Sequence, residues 1–134
     1  MADRHQAGVL DTCAYIDLDL LPAERLPRVP ELTAITLAEL HQGVATARDP
    51  AARAARSEVL AAATADFEPL PFDKEATARY GTFVTLTIAT GRDPRPRRMD
   101  LMIASIASIH GLPLFTRNPD DFKGLDRLLT VVAI

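Results

Sequence analysis

The chain has 134 residues, enough for one compact domain, and 48% of them are hydrophobic, enough for a core of its own. A formal net charge of −3 argues against general nucleic-acid coating, which asks for a basic excess, while leaving room for a local basic patch. The single cysteine, Cys13, excludes an internal disulfide and suits a reducing cytoplasm, and Cys13 itself reads as a small buried hydrophobe. The opening MADRHQAG lacks the apolar stretch of a signal peptide, and no segment is long and charge-free enough to span a membrane.

In chain order, residues 1–7 read as a loose, flexible N-terminal tail. Residues 9–10 are a short buried strand that meets Asp11 and then a helix from about Thr12. The stretch LLPAERLPRVPEL is a connection or a broken helix, because Pro22, Pro27 and Pro30 each interrupt regular structure. Residues 32–35 are a second strand, and TLAELHQGVATA a helix with Thr36 as its N-cap. Asp49 caps the next helix, Pro50 takes its first position, and Ala52, Ala55, Val59 and Ala63 share one face.

Residues 67–72 are a third strand, edge or irregular because of Pro69 and Pro71. Asp73 starts a helix that presents Ala76, Tyr80, Phe83, Val84 and Thr87 and ends near Gly91. GRDPRPRR is a polar, basic loop. MDLMIASIASIHG is a helix apolar nearly all round, hence buried on more than one side. LPLF is a buried strand, TRNPDDF a loop with a helical turn, and LLTVVAI the last strand. Strands alternating with helices imply an α/β sandwich with a mostly parallel sheet and no second domain.

Four acids fall at comparable places. Asp11 follows the first strand, Glu39 lies in the first turn after the second, Asp100 opens the apolar helix, and Asp121 follows LPLFT. Each has a local explanation. Asp11 can cap a helix, Glu39 can close a capping box with Thr36, Asp100 can be a first-turn acid, and Asp120 and Asp121 suit a turn. Together they have another, since the C-terminal edges of parallel strands line one crevice. Two carboxylates about 4 Å apart repel by about 4 kcal/mol at an effective dielectric near 20. A hard divalent cation, Mg²⁺ or Mn²⁺, offsets this with oxygen ligands and activates water for phosphodiester hydrolysis. Arg92, Arg95, Arg97 and Arg98 read equally as phosphate contacts or as a solvated loop, and Arg117 is the better-placed phosphate candidate. His5, His41 and His110 lack metal-ligand spacing.

The stretches VLDTCAYI, TLAEL and MDLMIASIASIHGLPLFTRNPDDF, in that order, resemble PIN-domain ribonucleases, in particular the VapC-like toxins of bacterial type II toxin–antitoxin pairs. The resemblance runs over nearly the whole chain and implies a PIN domain over residues 8–134, with a five-stranded mostly parallel sheet of order 3-2-1-4-5 flanked by helices. It implies RNA cleavage with Mg²⁺ or Mn²⁺, a homodimer, and a small VapB-like antitoxin that blocks the site. By position, Asp11 and Asp100 would be the principal metal ligands. Glu39 would ligate directly, act through water or orient the attacking water, and Asp121 would be the fourth acid, available to a second metal. Thr12 and Asn118 would support the site by hydrogen bonds, and which of Asn118, Asp120 and Asp121 faces the metal stays open. The alternatives are a PIN-like binding or scaffold module with a dormant site, and a PIN nuclease acting on DNA.

Overall fold

A computed structural model describes residues 4–134. Its sheet has four strands in the order β2-β1-β3-β4, every neighbouring pair parallel. These are β1 (Ala7–Leu10), β2 (Val29–Glu31), β3 (Leu114–Thr116) and β4 (Val131–Ala133). The helices are α1 (Thr12–Ile16), α2 (Ala34–Ala45), α3 (Pro50–Asp66), α4 (Lys74–Ala89) and α5 (Arg98–Ile109).

The sheet is covered on both faces, the usual condition of a parallel sheet. Alternation along each central strand divides the core. Val9 and Leu114 join Phe83, Leu101, Ala104 and Ala107 beneath α4 and α5. Leu10 and Phe115 join Ala14, Leu40 and Ala63 beneath α1, α2 and α3. Helix α5 buries Leu101, Ile103, Ala104, Ser105, Ile106 and Ala107, so it is enclosed on several sides as its composition requires. No helix among the described residues is long and apolar enough to cross a membrane.

The structure corrects several sequence expectations. The second strand is Val29–Glu31, upstream of 32–35, and includes Pro30. Val29 N–H donates to Gln6 C=O, so by alternation the imino nitrogen of Pro30 faces the opposite side, where no N–H is required of it. Thr33, not Thr36, is the N-cap of α2: its hydroxyl accepts from Thr36 N–H at 3.3 Å. The third strand shrinks to one parallel bridge between Thr33 and Leu70, with Leu70 N–H donating to Leu32 C=O and Ala34 N–H to Leu70 C=O. Pro69 and Pro71 turn their nitrogens away from that bridge, so the sheet cannot grow past it. The sheet therefore has four strands where five were expected, with Leu70 at the place of the fifth.

Cys13 is exposed, because the short helix α1 turns it away from the core that takes Ala14 and Tyr15. Of the expected loose tail, residues 1–3 lie outside the described residues. From Arg4 onward the chain is tied down: Arg4 donates to the carbonyls of Leu26 and Pro27, His5 C=O accepts from Arg28, and Ala7 opens β1.

Candidate active site

Strand β1 is flanked by β2 on one side and β3 on the other, so chain direction across the sheet switches between β1 and β3. Crevices of open parallel sheets form beyond the C-terminal ends of the strands at such a switch. Asp11 leaves β1 at this point, and residues 117–121 leave β3 beside it. Asp100 enters from the first turn of α5 and Glu39 from the second turn of α2.

Asp11 is 4% exposed. One carboxylate oxygen accepts from Ala14 N–H at 2.9 Å and so caps α1, and the Thr116 hydroxyl also bonds to the carboxylate. Burial pushes its pKa up, the Thr116 and Ala14 bonds pull it back, and the charge of Asp121 pushes it up again. The capping and functional readings of Asp11 are thus compatible: one oxygen serves the helix while the group borders the crevice.

Asp100 is pushed up to about 6, first by burial, then by the negative charges of Asp121, Glu39 and Asp11, with Arg97 acting in the opposite direction. This coupling brings the four sequence-predicted acids into one electrostatic neighbourhood. Asp121, rather than the exposed Asp120, is the acid of its loop that both Asp11 and Asp100 sense. The exposed Cys13 thiol stands at the same rim: burial raises its pKa first, then the charges of Asp11, Asp100 and Glu39. Among the described residues, no three His, Cys, Asp or Glu side chains close into a ready-made metal cage.

Glu39 owes its place to the upstream start of α2. With Thr33 as the cap, Glu39 is released from the capping box and accepts a 2.7 Å hydrogen bond from the Thr12 hydroxyl. Thr12 has one hydroxyl proton, so the Thr36 hydroxyl, 3.0 Å away, donates to Thr12 in turn. Thr36 and Thr116 are site-supporting residues that the sequence reading missed. Their signal was a buried hydroxyl beside a candidate acid: Thr36 lies three residues before Glu39, and Thr116 ends β3. Asn118 acts here through its backbone, donating to Thr116 Oγ1 at 3.0 Å and accepting from Asp121 N–H at 3.1 Å.

The arginines separate. Arg95 is held by Asp93 at 3.1 Å and is widely exposed. Arg98 is exposed, its Nε donating to Arg95 C=O. Arg117 pairs with Asp17 at 2.9 Å. Arg97 turns inward, its side chain 21% exposed and its Nε 4.0 Å from Asp121 Oδ1.

An α/β sandwich with a parallel sheet and carboxylates gathered at its C-terminal switch point defines a class, and the PIN domain matches residues 23–128 of this chain. The chain belongs to the PIN-domain family. It is 36% identical over 137 residues to Ribonuclease VapC5 of Mycobacterium tuberculosis, covering 100% of this chain and 98% of that protein. Among solved structures it resembles the toxin–antitoxin family member VapBC-5 of M. tuberculosis, with a TM-score of 0.84, 34% identity, and 96% and 99% of the two chains covered. FitAcB of Neisseria gonorrhoeae follows with a TM-score of 0.71, 29% identity, and 92% and 94% covered. The chain is a homologue of the VapC ribonucleases.

Proposed function

We propose that this chain is a Mg²⁺- or Mn²⁺-dependent endoribonuclease, the toxin of a type II toxin–antitoxin pair, silenced in the cytoplasm by a cognate VapB-like antitoxin. The observation that carries the reading is the meeting of Asp11, Glu39, Asp100 and Asp121 from four separate segments at one edge of the sheet. The family membership and the whole-chain similarity to a protein named as a ribonuclease support the same chemistry.

The donor set suits a hard cation. All four groups offer oxygen, and burial first, then the charges of the other three acids, raise the pKa of Asp100, which Arg97 only partly relieves. Mg²⁺ keeps several waters and is held by one or two carboxylates, so two of these acids suffice as its protein ligands. Asp11 and Asp100 are the ligands we assign. When bound, the cation supplies an activated water and stabilises charge on the phosphoryl oxygens.

The remaining work falls to the chain. The Thr36–Thr12 pair fixes Glu39, which orients the attacking water or takes its proton. Thr116 and the Asn118 backbone hold Asp11 and the Asp121 loop. Arg98 is exposed at the rim to receive RNA phosphates, and Arg95 and Arg117 can join it if Asp93 and Asp17 release them. The domain we assign spans residues 8–134 and works as a homodimer.

The test is cleavage of a fluorogenic single-stranded RNA in Mg²⁺ or Mn²⁺, with single-stranded DNA in parallel. Wild-type protein should cleave RNA, and Asp100→Asn should lose at least about 100-fold in rate. Equal rates for wild type and variant would sink the assignment, and preferential DNA cleavage would replace the substrate. Co-purified antitoxin should suppress the wild-type rate.

A further inference from the structure

We infer that Arg97 is a built-in cation that takes the place of a second metal ion at Asp121, so that the site binds a single divalent ion. The inference rests on the metal-dependent nuclease reading above. It begins with a mismatch between sequence and position: in a run of surface arginines, Arg97 turns toward a site carboxylate, while Arg92 reaches only the backbone carbonyl of Asp120. The Arg97 side chain is 21% exposed, against 81% for Arg95. The 3-10 turn Arg95–Arg97 that leads into α5 fixes this direction, with Arg97 N–H bonded to Pro94 C=O at 3.0 Å and one terminal nitrogen bonded to Asp93 C=O at 3.1 Å.

The inward end faces the acids. Arg97 Nε is buried without a hydrogen-bond partner among the described residues, and the nearest carboxylate oxygen is Asp121 Oδ1 at 4.0 Å. A buried, unpaired N–H is costly, and one that is part of a permanent cation is best satisfied by the carboxylate beside it. The guanidinium cannot lose its proton, so its charge is present at every working pH. A divalent ion ligated by Asp121 would sit next to that fixed positive charge. In two-metal nuclease sites the second cation neutralises the acids and stabilises the leaving oxygen. Here Arg97 already places a positive charge 4.0 Å from Asp121 Oδ1. Asp121 is then the charge partner of Arg97 rather than a metal ligand, and Arg97 is a positioning residue acting through it.

The experiment counts Mn²⁺ bound to the full-length protein, by the electron paramagnetic resonance of the free ion and by calorimetry. Wild type should bind one ion per chain. Arg97→Gln should bind two, Arg97→Lys, which keeps the charge, one, and the double variant Arg97→Gln/Asp121→Asn one again. Thermal melts check that each variant is folded, and Arg97→Met, which keeps most of the aliphatic stem, substitutes if Arg97→Gln is not. Two ions in wild type, or one in a folded Arg97→Gln or Arg97→Met, would overturn the inference and leave the nuclease reading intact. No Mn²⁺ bound by wild type would remove both.

Discussion

Asp100 has a carboxyl pushed up to about 6, chiefly by burial and then by three neighbouring negative charges. Below that pH a cation must displace a proton from it. Mn²⁺ affinity should therefore fall about tenfold per pH unit below 6 and level off above. The same shift acts on the metal-free protein with a definite sign. The folded state holds a proton that the unfolded state releases between about pH 4 and 6, so the stability contributed by this group falls as pH rises through that window. Discounted for the screening of a partly solvated carboxyl, the change is about 1 kcal/mol, or about 4 °C in melting temperature. Asp100→Asn should flatten this slope in melts with EDTA at pH 4.5 and 7. An unchanged slope in the variant would place the titrating group elsewhere. Asp11, Asp100 and Asp121 stood out in the sequence because each follows or opens an apolar segment, and Glu39 because it lies three residues after Thr36 in TLAEL. What hid Thr36 and Thr116 is that a buried threonine has no distinctive neighbours along the chain; its role depends on what lies across from it.

Helix α2 shows how an error of three residues in a helix start changes a chemical reading. Thr33 and Thr36 are both acceptable caps by residue type. The choice is made by the sheet: Leu32 and Ala34 bond to Leu70, which keeps the chain extended up to Thr33 and lets the helix begin at Ala34. Glu39 then leaves the capping box, and the Thr36 hydroxyl becomes free to brace Thr12. The two threonines should separate by experiment. Thr33→Ala removes the cap and should cost about 1 kcal/mol in urea unfolding. Thr36→Val keeps the shape but removes the brace, and should slow RNA cleavage about tenfold, as loss of an outer-shell bond does. If Thr33→Ala slows cleavage more than Thr36→Val, the brace is not what orients Glu39. The caps of α3 and α4 were legible because Asp49 and Asp73 have no competing residue and each accepts the expected N–H, from Ala52 and Ala76. The third strand was not, since Pro69 and Pro71 leave Leu70 as the one pairing residue between them.

At the scale of the whole molecule, alternating strands and helices were readable because each apolar run is short and the turns between them carry proline, glycine or a capping acid. The all-parallel topology follows from that alternation and brings four distant segments to one sheet edge. Those segments arrive with carboxylates, so folding itself works against their repulsion. A cation that binds only the folded chain should return that cost. At a concentration 100-fold above its dissociation constant it stabilises the folded state by about 2.7 kcal/mol. For a domain of this size that is a rise of about 10 °C in melting temperature. General screening would also relieve repulsion, so the control is KCl at matched ionic strength, which acts on exposed charges but poorly on partly buried ones. Mn²⁺ should give the full rise and KCl little, and the double variant Asp11→Asn/Asp100→Asn should melt higher than wild type in EDTA yet fail to respond to Mn²⁺. An equal rise with KCl, or a double variant that still responds, would mean that the acids meet in space without sharing an ion.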